Sequence, residues 1–133
     1  MEKQIITSAH APAPIGPYNQ AVFAGDMLFI SGQICIDPAS GVLNNKSIQE
    51  ETSQVMKNLE AILVAAGLGF GHVVKTTIFL TDMNQFAEVN EIYGSYFSAA
   101  DGSAPPVYPA RETVQVSALP KFVNVEISMI AVK

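Results

Sequence analysis

The chain has 133 residues, a formal net charge of -5, 49% apolar residues and only 14% charged ones. This length suits one domain, 1–133, with a sizeable core. The acidic balance, with no Lys/Arg cluster, disfavours a phosphate backbone, so nucleic acid is not an expected partner. A charged fraction below the roughly 25% of an average soluble domain leaves too little charge to cover a monomer and points to contacts between copies.

No stretch of signal-peptide character opens the chain, and none approaches the roughly 18 apolar residues of a membrane span, so a soluble, cytoplasmic protein with no membrane partner is expected. Cys35 is the only cysteine, which excludes an internal disulfide. His10 and His72 are the only histidines and have no short ligand spacing, so no metal site is expected. No P-loop or dinucleotide glycine fingerprint is present.

Pro12, Pro14, Gly16 and Pro17 make residues 8–19 an extended loop that delivers Tyr18. Gln20–Ala24 and Met27–Gln33 flank Gly25-Asp26, a two-residue hairpin signal, and this register sets Gln20 opposite Ser31. The second strand ends in Ser31-Gly32-Gln33. A hydroxyl beside a bare glycine there reads either as a bulge or as a place where a ligand approaches the backbone.

Ser47-Ile48-Gln49-Glu50 has capping-box spacing and starts a helix. Its stripe of Ile48, Thr52, Val55, Leu59, Ile62, Leu63 and Ala66 runs until Gly67. Val73–Leu80 is a β-branched run of strand length. Asp82, with Gln85 three residues on, caps a second helix that buries Phe86, Val89, Tyr93 and Phe97. Asn90 stands at the edge of that stripe, as a satisfied structural amide or as a ligand contact. Gly94, Gly102 and the prolines 105, 106 and 109 lead to the last segment.

From Tyr108 onward the pattern predicts a β-hairpin. Val114 and Val116 alternate with Thr113, Gln115 and Ser117, and Val125, Ile127, Met129 and Ala131 alternate with Asn124, Glu126 and Ser128. A turn between Leu119 and Pro120 would put Arg111 opposite Ser128 and diagonal to Glu126 on one polar face. That pair reads either as a solvated cross-strand salt bridge, worth roughly 0 to 1 kcal/mol, or as the chemical centre of the chain. In such a pair Arg111 would favour the ionised form of Glu126. The element order is an α+β pattern, with both helices on one face of a mixed sheet and the other face left open.

Gly16-Pro17-Tyr18, Ile30-Ser31-Gly32-Gln33, Phe86-Ala87-Glu88-Val89-Asn90-Glu91-Ile92-Tyr93, Pro109-Ala110-Arg111, and Leu119-Pro120-Lys121 followed by Val125-Glu126-Ile127 stand in one order across nearly the whole chain. Together they closely resemble the Rid (YjgF-like) family of reactive imine and enamine deaminases. The resemblance implies a chorismate-mutase-like fold, a homotrimer with sites in the clefts between subunits, and no cofactor. It also implies small-molecule substrates of the 2-aminoacrylate and 2-aminocrotonate type, hydrolysed to 2-keto acids and ammonia. Carried over by motif, Arg111 would hold the substrate carboxylate, Glu126 would handle water or proton transfer, and Tyr18, Ser31, Gly32 and Asn90 would line the site. The chain departs from the family pattern at Cys35, Glu112, Thr113 and Ser128. A non-catalytic sensor of 2-keto acids or amino acids, or a holdase-like protein, is the alternative role.

Overall fold

The computed structural model describes residues 1–98 and 104–133. Gly102 lies outside them. Six strands form one sheet in the order β1-β2-β3-β6-β4-β5. They are β1 (Lys3–Ile6), β2 (Ala21–Ala24), β3 (Met27–Gln33), β4 (Val73–Leu80), β5 (Ala110–Gln115) and β6 (Val125–Val132). Two helices, α1 (Ile48–Ala65) and α2 (Phe86–Ser95), pack side by side, and α1 lies against β3 and β6.

The local signals act as their chemistry requires. Gly25 takes φ +60° at the β2–β3 turn, and Ala21 pairs with Ile30, so Gln20 meets Ser31 as expected. Ser47 Oγ accepts from Glu50 N at 3.0 Å to cap α1. At the other end Gly67, at φ +77°, allows Leu68 N to donate to Leu63 O and Gly67 N to Val64 O. Asp82 caps a 3-10 turn, Met83–Gln85, which leads into α2 rather than being its first turn. Leu59, Ile62, Leu63, Ile78, Leu80, Val125, Ile127 and Met129 fill the core between sheet and helices. Phe86, expected in the buried stripe of α2, is 38% exposed.

The terminal hairpin does not form. β5 pairs parallel with β4, aligning Thr76 with Arg111, while β6 lies antiparallel on the other side of β4 and continues to β3. The path β4–α2–β5 is a crossover that returns a parallel strand beside its predecessor. Nine residues, 116–124, then step across the end of β4, where Val116 N donates to Leu80 O and Thr81 N to Asn124 O. Inside this step Lys121 and Phe122 sit at φ 55° and 56°, a left-handed conformation that costs non-glycine residues energy and is unlike a tight hairpin turn. Arg111 and Glu126 are therefore two strands apart, about 10 Å, and about 10 Å apart along the sheet, since their register partners Thr76 and Phe79 are three residues apart.

Candidate active site

Residues three apart in a strand face opposite sides of the sheet. Arg111, beside buried Thr76, accordingly faces α2. Glu126, beside Phe79, faces the open side. The sequence-predicted residues divide between two separate pockets.

The first pocket, of about 310 Å³, is lined by Ile15, Tyr18, Ser31, Gly32, Pro120 and Glu126. Its wall is the proline loop, held by the buried amide of Gln20. Gln20 Oε1 accepts from Ser8 N at 2.6 Å, and Nε2 donates to the carbonyls of Ser8, Ala11 and Pro12. Tyr18 Oη accepts from Ile15 N at 3.2 Å, which folds the loop tip over the pocket. Between Ile30 and Gln33 β3 takes three steps while β6 takes two, so Ser31-Gly32 is a β-bulge as well as a pocket wall. Ser31 Oγ donates to Asn19 O at 2.6 Å and so presents only lone pairs elsewhere.

Gly32 and Glu126 are in close apposition. A Cβ on Gly32 would stand 2.8 Å from both Cδ and Oε2 of Glu126, so the carboxyl lies over a bare Cα. Burial pushes the Glu126 carboxyl above its ordinary range. This reverses the expected direction, because the cation that would have lowered it faces the other side of the sheet.

That shift carries a stability consequence. With the folded value above the unfolded one, the protonated form contributes stability that is present below the unfolded value and lost as pH rises through the folded one. Glu126→Gln should therefore raise the melting temperature at neutral pH, with the gain shrinking to nothing by about pH 4. Melting curves from acid to neutral pH check this, and a gain that grew on acidification would contradict it.

The second pocket, of about 290 Å³, is lined by Asn90, Tyr93, Gly94, Tyr108 and Arg111. Arg111 Cζ lies 5.1 Å from the Tyr93 ring centre and 5.6 Å from that of Phe86. Among the described residues no carboxylate lies within ion-pair distance of it; the one ion pair, Lys75–Glu112 at 3.0 Å, is elsewhere. Tyr93 Oη donates to Thr76 Oγ1 at 2.9 Å, and burial raises the phenol above its usual value.

The four departures fall in different places. Glu112 is on the open face, where it accepts from Thr77 and pairs with Lys75, and these two contacts lower its pKa. Ser128 is beside it, across Thr77. Cys35 is buried, and burial with the nearby Glu51 carboxylate pushes its thiol up to about 11. Thr113 shares Arg111's face, its buried hydroxyl without a partner among the described residues.

Two buried polar residues were not foreseen as determinants of the site. One is Gln20. The other is Glu51, fully buried in the first turn of α1, which accepts from Asn124 N at 2.7 Å, Asn124 Nδ2 at 2.8 Å and Val125 N at 2.9 Å and so pins the start of β6 just before Glu126. The spacing Glu51, Val55, Asn58, Ile62 continues the buried stripe and was the available signal. Among the described residues no group of three His, Cys, Asp or Glu side chains could hold a metal ion, and no helix is long and apolar enough to cross a membrane.

A mixed six-stranded sheet in this order, with two helices on one face, is the chorismate-mutase-like fold. Residues 8–133 match the family described as endoribonuclease L-PSP, and the chain belongs to that family, which includes the Rid and YjgF proteins. It is 48% identical over 131 residues to the 2-iminobutanoate/2-iminopropanoate deaminase of Mus musculus, covering 98% of this chain and 92% of the mouse protein. A Rid-family protein of unknown function from Yersinia pestis superposes with a TM-score of 0.92 at 45% identity, over 99% of this chain and 100% of that one. Escherichia coli TdcF, solved with bound serine, gives 0.89 at 44% identity over 98% of each chain. Other relatives carry only the name RutC family protein.

Proposed function

We propose that this chain is a cofactor-independent hydrolase of reactive 2-enamines and 2-imines, of the 2-aminoacrylate and 2-aminocrotonate type, that works as a homotrimer with its sites between subunits. The observation that carries this reading is the division of the candidate residues. A guanidinium without a described acidic partner lies on one side of the sheet and a carboxyl of raised pKa on the other, each in its own half-open pocket. Neither pocket alone brings an anchor and a proton carrier together; the Arg111 pocket of one copy against the Glu126 pocket of the next does. The open sheet face, with Met27, Phe29 and Val114 each about 40% exposed, supplies apolar surface for such an assembly.

In this reading Arg111 grips the substrate carboxylate through two parallel N–H···O bonds, with Asn90 beside it. Protonation of the enamine carbon by solvent gives the iminium form of the imine. Water then adds to the C=N carbon, losing a proton to Glu126; the carbinolamine takes that proton back on nitrogen and expels ammonia, and its hydroxyl sheds a proton to solvent, leaving the 2-keto acid. A carboxyl raised by burial above its usual pKa is a better proton acceptor than an ordinary one, which favours the first of its two transfers. Tyr18, Ser31 and Gly32 wall the reacting end. Serine bound to TdcF and the deaminase name of the mouse relative favour an amino-acid-sized carboxylate ligand. The nuclease name of the family finds no support in a net charge of -5.

The test is to generate 2-aminocrotonate in situ and follow 2-oxobutanoate release with purified protein, alongside light scattering after gel filtration. Accelerated release by a trimer is expected; a monomer at micromolar concentration, or an unchanged rate, would overturn the reading. Arg111→Lys should lower kcat/KM on the order of 10- to 100-fold, nearly as far as Arg111→Ala, because an ammonium cannot reproduce the two-point grip. A lysine variant close to wild type would show that positive charge alone suffices.

A further inference from the structure

Arg111, the anchor in this reading, has a long, flexible side chain and no acidic partner among the described residues, so something else must hold its orientation. Its surroundings answer this. Residues seven apart on a helix are two turns, about 10.5 Å, apart along the axis. Phe86 and Tyr93 have that spacing on α2, and Arg111 Cζ lies 5.6 Å from one ring centre and 5.1 Å from the other, so the guanidinium occupies the gap between the rings.

The Tyr93 ring is itself fixed. Its hydroxyl donates to Thr76 Oγ1, Thr76 is fully buried, and Thr76 is the strand partner of Arg111. The ring also packs on Phe97 at 4.9 Å between centres, and Phe97 on Tyr108 at 6.0 Å. Phe86 is the counterpart on the other side, and this explains why an aromatic ring stands 38% exposed at the start of α2, where a core residue would be buried.

We propose that Phe86 and Tyr93 are positioning residues that clamp the Arg111 guanidinium by cation–π contact. Because rings accept no N–H···O bond in the guanidinium plane, the clamp holds the group without using the donor fork that a carboxylate would take. An acidic partner would hold Arg111 equally well and would compete with the ligand for the same donors. This proposal rests on the reading of Arg111 as a carboxylate anchor.

The test is calorimetric binding of 2-oxobutanoate and of its uncharged methyl ester to wild type, Phe86→Leu, Phe86→Tyr and Arg111→Ala, with steady-state kinetics on the same preparations. Phe86→Leu keeps an apolar side chain but removes the ring. It should weaken 2-oxobutanoate binding and raise KM by about 3- to 30-fold, leave kcat nearly unchanged, and leave ester binding unchanged. Phe86→Tyr should restore wild-type values. Wild-type 2-oxobutanoate affinity in Phe86→Leu, with Arg111→Ala impaired, would overturn the clamp alone, as would equal weakening for acid and ester. Unimpaired binding by Arg111→Ala, or no binding by wild type, would overturn the clamp and the anchor together. Tyr93→Phe, which keeps the ring but releases it from Thr76, should show a smaller shift in the same direction; a larger one than Phe86→Leu would place the effect in the Thr76 hydrogen bond instead.

Discussion

Glu126→Gln should lower imine turnover by a factor on the order of 100 to 10,000, the usual contribution of a positioned general acid or base. The amide keeps the shape and can still hydrogen-bond, but it neither accepts the proton from water nor delivers one to departing ammonia. Assembly should survive, because the side chain lies in a half-open pocket rather than in the core between sheet and helices. Affinity for an unreactive 2-keto acid should hold or tighten once a negative group near the ligand is gone. The measurement pairs 2-oxobutanoate calorimetry with coupled imine hydrolysis on one preparation. Hydrolysis within a few-fold of wild type would remove Glu126 from the chemistry, and a wild type that binds the keto acid without accelerating hydrolysis would favour a sensor.

Gly32→Ala should follow, at about 100-fold in kcat, the scale expected when a reacting group is misplaced by about 1 Å. Gly32 has no left-handed φ, so alanine fits the backbone, and the obstacle is the carboxyl of Glu126 at 2.8 Å. A carboxyl at the end of a flexible side chain yields before the sheet does. The fold and melting temperature should thus stay near wild type while the proton carrier is pushed out of line. Unchanged kcat in a well-folded alanine variant would mean that Glu126 does not act from where it rests on Gly32.

Local chemistry was legible wherever one residue decides the backbone. Gly25, Ser47 and Gly67 mark a turn, a helix start and a helix end: the two glycines take the positive φ that a missing Cβ permits, and the Ser47 hydroxyl caps the helix. Period-two alternation likewise gave the buried face of β6 correctly as Val125, Ile127, Met129 and Ala131. In β5 the same rule inverted the faces. Arg111, Thr113 and Gln115 align with Thr76, Ile78 and Leu80 of the helix-facing row, and Val114 is 43% exposed. β5 turns Arg111 and Thr113 toward the helix layer, and alternation says nothing about which neighbour a strand chooses. That choice came from the β4–α2–β5 crossover, a long-range event without a local signature. β1 was missed because Lys3–Ile6 is four residues with one buried side chain. Gln20 and Glu51 were missed because burial of a polar residue depends on distant backbone groups that satisfy it.

The placement of Arg111 and Glu126 on opposite faces of one sheet has a genetic consequence. If each site takes its anchor from one copy and its proton carrier from another, Arg111→Ala and Glu126→Gln are lesions in different halves of a shared site, and two inactive proteins can repair each other. Refolded together from an equal mixture, random assembly should restore about a quarter of the wild-type sites. Either variant alone would remain dead, and mixing intact trimers without subunit exchange would restore nothing. Two loss-of-function alleles of this one gene would then complement in a cell that carries both.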